Sequence, residues 1–183
     1  MFVFDPPADR YFGAQVRRLL ARLPALEGGV IRVEARGRLR GAGGAIHAGA
    51  FLRQRRIAFD RNLSRDGAEF GRIFVHEVAH FAWIRLSNAR RRSWEDLLRE
   101  EMARGALGEL GWSAEWRKEG LEPVDLHGRT RRWREYVCES FCDTAAWCFA
   151  PLANHPEFTL AGRWRRRRRD WFAHFLVTKR MSI

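Results

Sequence analysis

Long apolar runs, a secretory signal and paired cysteines are all missing from this sequence. No stretch reaches the roughly 18 consecutive apolar residues that cross a bilayer. Asp5 and Asp9 lie where a signal peptide would carry positive charge and then an apolar segment. The cysteines are odd in number, and Cys138, Cys142 and Cys148 lie too close along the chain for a disulfide framework. The absences argue against a secreted or membrane-spanning protein, and we expect a reduced, soluble, cytoplasmic one.

Lysine is also nearly absent, although the chain is strongly basic. Of 34 basic residues only Lys118 and Lys179 are lysine, and the formal net charge is +12. A GC-rich genome favours arginine codons in this way, so part of the charge is compositional. Excess positive charge nevertheless attracts phosphate polymers.

The most basic segment is RWRRRRRDW, Arg163 to Trp171, within a C-terminal stretch (159–183) that we expect to be a last helix. Its arginines and tryptophans could bind nucleic acid or an acidic membrane surface. The alternative is a solvated helix whose arginine stems cover Trp164, Trp171 and Phe172. We favour the solvated helix, so nucleic acid is a possible partner but not the favoured one.

The chain length of 183 residues and the 46% apolar content are those of a single domain with its own core, here 1–183. Apolar spacing predicts an α+β fold, rich in helix, with a small sheet packed on the helix 66–86. The predicted helices are 10–23, 66–86, 94–104 and 130–149, and the predicted strands are 30–34 and 51–60. Residues 37–45 are read as a flexible connection or hairpin, and 119–129 as a loop.

The strongest functional signal is HEVAH, residues 76–80, inside the predicted helix 66–86. Histidines four positions apart lie one turn apart on one helix face, so His76 and His80 can bind one zinc ion. Glu77 can then act as the general base of a hydrolytic reaction. The composition predicts only about 0.015 chance occurrences of this pattern. The surrounding residues are apolar, and a metal would satisfy polar groups that are otherwise costly to bury.

A tetrahedral zinc site needs a third protein ligand. In the segment from Trp133 to Phe149, within the predicted helix 130–149, Glu139 and Asp143 are the acidic residues beyond the first turn, and they lie four apart on one face. We expect Glu139 to bind zinc and Asp143 to accept an N–H from a ligating histidine. A solvent-facing acidic stripe is the alternative, and Glu135, Cys138 and Cys142 are substitute ligands. The other downstream candidates are His127, His155 and His174.

HEVAH followed about sixty residues later by ESFCD on a second helix resembles the gluzincin group of zinc metallopeptidases. The long gap is closer to that of the CAAX-prenyl-type peptidases than to that of thermolysin. The resemblance covers about residues 51–149 as a catalytic core and implies a zincin-like metallopeptidase. The prenyl-type enzymes are embedded in the membrane, whereas we expect this chain to be soluble, so the resemblance extends only to their catalytic core. It implies His76, His80 and Glu139 as zinc ligands, Glu77 as catalytic base and Asp143 behind them. It also implies an edge strand that pairs with an extended peptide or protein substrate, for which 56–60 is the candidate.

Two other functions stay open at this point. A zinc-containing regulatory or nucleic-acid-associated protein would use the basic tail. The SprT-like form of that function needs a histidine, here His127, as third ligand. The second is an inactive scaffold with structural zinc, although Glu77 argues against it. Gluzincins also supply an oxyanion-stabilising group, and His127, Tyr136, His155 or an arginine could do so.

Overall fold

The computed structural model describes residues 2–41, 44–175 and 180–183. Its strands are β1 (Phe2–Phe4), β2 (Ala25–Glu27), β3 (Ile31–Arg36), β4 (Leu39–Gly41), β5 (Gly44–Ile46), β6 (Ala48–Phe51), β7 (Arg56–Asp60) and β8 (Arg180–Ser182). Its helices are α1 (Pro6–Ala8), α2 (Ala14–Leu20), α3 (Gly67–Arg85), α4 (Asn88–Ala103), α5 (Trp112–Glu119), α6 (Pro123–Gly128), α7 (Arg131–Phe149) and α8 (Gly162–Phe175). A helix-rich α+β fold with a small mixed sheet is thereby confirmed. None of the helices in the described ranges is long and apolar enough to cross a bilayer.

The main sheet has four strands in the order β1-β3-β7-β6. β1, β3 and β7 run parallel, and β6 pairs antiparallel with β7. The continuous helical run of α1, a π-helical turn (Asp9–Gly13) and α2 connects β1 towards β3. Its Phe12 ring stacks on Phe70 of α3 at 4.5 Å, and Phe59 of β7 meets Phe70 at 5.2 Å. These aromatic contacts pack the sheet and the first helices on α3.

α3 is the central helix of the structure. Asp66 caps its N-terminus, because the carboxylate accepts from the N–H groups of Ala68 and Glu69, both at 3.0 Å. Most of its residues from Phe70 to Ala82 are buried, as the apolar sequence around HEVAH predicts. α7, capped by Thr130, packs along it and ends just before Pro151. The predicted helices 66–86 and 130–149 are both confirmed.

The prediction of one strand over 51–60 is wrong. Two strands, β6 and β7, form an antiparallel pair around a 3₁₀ turn (Leu52–Gln54), with Arg55 in the left-handed region at φ 46°. For the segment 37–45 the sequence left open a flexible connection or a hairpin. The antiparallel strands β4 and β5 show that it is a hairpin. Residues 42–43 lie outside the described ranges. β1, β2 and β8 were not predicted, because three-residue strands carry too little alternation to detect.

Helix boundaries differ from the predictions where capping residues decide them. The helix predicted over 94–104 starts six residues earlier, because Ser87 caps α4. The expected loop 119–129 contains α6, which has a proline in its first turn and a capping box between Glu122 and Asp125. The predicted helix 10–23 ends earlier, at Leu20. The basic tail forms α8 and, after it, β8.

The arginine run of α8 is divided between structural and exposed positions. Arg168 is fully buried, and its guanidinium bonds Glu101 at 2.7 Å and Glu109 at 2.5 Å. Arg165 donates to backbone carbonyls and Arg167 pairs with Glu100. Trp164 and Phe172 are buried beneath the helix. The run is therefore an amphipathic helix anchored on the core, not a continuous basic patch.

The buried Arg168 network joins α8 to α4, to α7 and to the segment that follows α4. Tyr136 Oη donates to Glu109 at 2.6 Å, and Arg168 also contacts Ser140 at 3.1 Å. Burial alone would raise the pKa of Glu109, but the charges of Arg168 and Lys118 outweigh it and hold that pKa below its usual value. Without Arg168, both carboxylates would lie in the core with too little compensating charge.

We expect Arg168→Met to lower the free energy of unfolding by about 3–5 kcal/mol, because it leaves Glu101 and Glu109 buried without their main counter-charge. The matched control is Arg166→Met on the same helix, where the side chain is exposed; its effect should stay within about 0.5 kcal/mol. Urea denaturation measures both. Equal effects would contradict a structural role for Arg168.

Candidate metal centre

α3 and α7 bring the three predicted ligands together. His76 and His80 present their Nε2 atoms 3.2 Å apart. Glu139 Oε2, from α7, lies 3.2 Å from His76 Nε2 and 3.8 Å from His80 Nε2. The three side chains are at most 17% exposed. They therefore form one compact group of nitrogen and oxygen donors between the two helices.

The spacing of these donor atoms suits a tetrahedral metal ion. Ligand atoms at about 2.0–2.1 Å from zinc in a tetrahedron are about 3.3 Å from one another. The measured separations of 3.2, 3.2 and 3.8 Å form a triangle of that size. The three donor atoms are therefore close enough together to share one ion.

The other polar atom of each side chain has a partner that fixes its orientation. His76 Nδ1 donates to Asp143 Oδ1 at 2.7 Å, and His80 Nδ1 lies 3.6 Å from Cys138 Sγ. Glu139 Oε1 lies 3.5 Å from the Arg117 guanidinium. Such outer partners are typical of protein metal sites, since they set the tautomer and the direction of each ligand.

The protonation states reflect how strongly these charges interact. Burial would lower the pKa of His76, but the carboxylates of Asp143 and Glu139 raise it well above its usual value. Burial would raise the pKa of Glu139, but the hydrogen bond and charges of His76 and His80 lower it to about 2. The Glu139 carboxylate is thus ionised, and its charge and those of the histidines stabilise one another.

Asp143 joins three helices at this point. Besides accepting from His76, it accepts from Ala114 N–H at 3.0 Å through Oδ2. That N–H lies in the first turn of α5, whose N-cap residue Gly111 has no side chain to cap the helix. A Cβ at Gly111 would lie 2.3 Å from Asp143 Cγ. The glycine therefore makes room for the carboxylate that caps α5 and orients His76.

A cleft of about 350 Å³ opens beside the donors. Its lining includes His76, Glu77, Ile46, Trp112, Arg72 and Glu157. Glu77 is buried, and burial raises the pKa of this carboxyl despite the nearby histidines. The backbone N–H of Ala50 in β6 reaches the same carboxylate. Glu77 thus faces the cleft but is not one of the three clustered donors.

The prediction that residues 56–60 form the edge strand beside the cleft is wrong. Residues 56–60 form β7, which lies between β3 and β6 inside the sheet. The edge strands are β1 and β6, and β6 is the one next to β7; it contacts α3. The error follows from reading 51–60 as one strand: the turn at Arg55 places the second half in the sheet interior.

The structure places the other candidate ligands away from the His76–His80–Glu139 group. His127 is exposed on α6, and Glu135 pairs with Arg131 at 2.6 Å. His155 lies 3.4 Å from Glu69, and His174 contacts the backbone of its own helix. Tyr136, an oxyanion candidate, is buried against Glu109. The histidine-ligand reading through His127 has no support in this geometry.

Cys138 and Cys142 lie near the Nδ1 side of the His80 ring. Cys138 and Cys142 form with His80 a second group whose donor atoms are all within 4.8 Å of one another. This group uses His80 Nδ1, whereas Nε2 faces His76 and Glu139. Cys138 and Cys142, the substitute ligands for Glu139, therefore lie near Nδ1 of His80 and not near the Nε2 atom that faces Glu139.

Sequence reasoning missed Arg117, Arg72 and Trp112. Arg117 lies beside Glu139. Arg72, in the cleft lining, bonds Glu157 of the same lining at 3.0 Å and Glu69 at 2.5 Å. A chain with 32 arginines offers no signal that selects two of them. Trp112 belongs to no sequence motif that would have singled it out.

No protein-family model, curated protein or solved structure matches the chain.

We expect Gly111→Ala to lower the free energy of unfolding by about 1–3 kcal/mol, because the added methyl group collides with Asp143. Gly120→Ala, at the other end of α5, is the matched control, since its Cβ would meet only ordinary contacts at 3.7 Å or more. Urea denaturation compares the two. A loss no larger than that of the control would contradict the close packing of Asp143 on α5.

Proposed function

We propose that the protein is a zinc-dependent metallopeptidase of the zincin type. In this proposal His76, His80 and Glu139 bind one zinc ion, Asp143 orients His76, and Glu77 is the general base. The observation that carries it is the arrangement of three donor atoms within 3.8 Å of one another, each on a side chain whose other polar atom is separately held.

The donor set favours zinc among the common metal ions. Calcium and magnesium prefer all-oxygen ligands, whereas two imidazoles and one carboxylate suit zinc. Iron in some oxygenases uses the same donor types. Hydrolysis requires a general base that is close to the metal but does not bind it. A carboxylate next to the first histidine, in the cleft and outside the donor group, meets this requirement. Glu77 therefore favours the hydrolytic site.

When bound there, zinc supplies Lewis acidity, which polarises a scissile carbonyl and makes water easier to deprotonate. The chain itself supplies the proton transfers. The Glu77 carboxylate takes the proton of the attacking water and delivers it to the leaving amine. Its raised pKa suits this exchange, because a buried carboxyl holds a proton more readily than an exposed one.

The substrate proposed is an extended peptide or protein segment. β6 is an edge strand next to α3, and an edge strand can pair with an extended chain through backbone hydrogen bonds. Ile46 and Trp112, both in the cleft lining, offer apolar surface for a substrate side chain. Of the open oxyanion candidates, an arginine is the best placed, because Arg72 is part of the cleft lining.

The nucleic-acid alternative loses its main support. It relied on the arginine run of α8, where Arg168 is in the core and Arg167 pairs with Glu100. The SprT-like form relied on His127, which is exposed and outside the donor group.

We expect protein purified without chelator to hold close to one zinc per chain. Glu139→Gln should reduce metal content and weaken affinity by about ten- to a hundredfold or more, since an anionic ligand is lost. Glu135→Gln is the matched control, one turn earlier on α7, and should retain the metal. Elemental analysis after dialysis measures both. Substoichiometric metal that added zinc does not restore would contradict the proposed site.

We expect Glu77→Gln to retain zinc and the fold but to lose peptidase activity by about 10²–10⁴-fold, because the amide cannot accept a proton. A peptide-library screen with the zinc-loaded protein identifies the substrate, and metal content is measured in parallel. Full activity in Glu77→Gln would remove this residue from the mechanism. Failure of the loaded protein to cleave any library peptide would contradict the peptidase function itself.

A further inference from the structure

A second concave site, the arginine pocket, lies between the end of α3, the first half of α4 and the first turns of α7. Its volume is about 270 Å³, and it shares no lining residue with the metal cleft. The residues that decide its chemistry are Arg91, Arg92, Arg129, Arg134, Glu95 and Trp83.

The lining carries a strong excess of positive charge. Four arginines face one carboxylate, and that carboxylate is already engaged: Glu95 bonds Arg129 at 2.6 Å and Arg99 at 3.3 Å. Within the described ranges, Arg91, Arg92 and Arg134 form no ion pair with a carboxylate. Their charges are therefore available to a ligand.

The pocket is partly preorganised. Glu95 holds Arg129 through two hydrogen bonds, at 2.8 and 2.6 Å. Arg134 Nη1 donates to the backbone carbonyl of Arg129 at 3.0 Å. Nε of Arg91 is buried without a hydrogen-bond partner among the described residues. An unsatisfied buried donor is costly, and an anionic ligand would remove that cost.

The N-terminus of α4 borders the same pocket, because Asn88, the first residue of this helix, is part of the lining. Unpaired N–H groups and the helix dipole give a helix N-terminus a partial positive charge. α4 has 16 residues, which is long enough for a full dipole. Phosphate groups commonly bind where arginines and a helix N-terminus meet.

We propose that the arginine pocket binds the phosphate group of a small phosphorylated molecule. Guanidinium groups bind phosphate through paired hydrogen bonds. The volume is near the lower limit of ligand pockets, which suits a small molecule better than a polymer. Trp83 is part of the lining and adds an aromatic side chain that a ring of the same ligand can contact.

The test is calorimetric titration of the full chain at constant ionic strength with inorganic pyrophosphate, adenosine monophosphate and a single-stranded oligonucleotide. The pocket variant is Arg91→Gln with Arg134→Gln. The matched control is Arg38→Gln with Arg166→Gln, which removes the same net charge from exposed positions. Denaturation curves of each variant establish that it is folded.

We expect saturable one-to-one binding of pyrophosphate or the nucleotide, weakened at least about tenfold in the pocket variant and less than about twofold in the control. Tighter binding of the nucleotide than of pyrophosphate would identify a nucleotide as the ligand, and the reverse order a phosphate or diphosphate. Equal weakening in both variants would overturn the proposal, since it would show only long-range attraction. Binding of the oligonucleotide alone, or saturation with none of the three, would also overturn it.

Discussion

The hydrogen bond between His76 and Asp143 is the interaction on which the arrangement of the site depends. At 2.7 Å and in a buried position, it joins α3 to α7, and the second oxygen of the same carboxylate caps α5. Once this bond is formed, the Nε2 atom of His76 faces the common point shared with His80 and Glu139. The carboxylate thus couples the packing of three helices to the direction of one imidazole.

Burial of polar groups is the wider constraint in this fold. α3 and α7 are long, mostly buried helices, yet each carries ionisable side chains in its interior face. Such groups are tolerated only when their partners lie nearby. The same rule governs the other end of the molecule, where Arg168 is surrounded by Glu101, Glu109 and Tyr136. In both places a charge from one distant segment satisfies a charge from another.

α3 contributes to two concave surfaces of different chemistry. His76 and Glu77 line a cleft whose walls are partly apolar, and Trp83, about two turns later, lines the arginine pocket. α7 likewise supplies Asp143 to the first and Arg134 to the second. The rigid helix pair therefore supports a proposed hydrolytic centre and a proposed anion site without shared lining residues.

Local sequence rules determined the two helices and their faces. Asp66 and Thr130 are capping residues at the helix starts, and the four-residue spacing of His76 with His80 and of Glu139 with Asp143 follows from the helical period. Only the tertiary structure decided that Glu139 meets the histidines while Glu135 pairs with Arg131, that β6 rather than β7 is an edge strand, and which few of 32 arginines line a site or enter the core. These outcomes depend on contacts between segments far apart in the chain, and no local pattern encodes which arginine reaches which carboxylate.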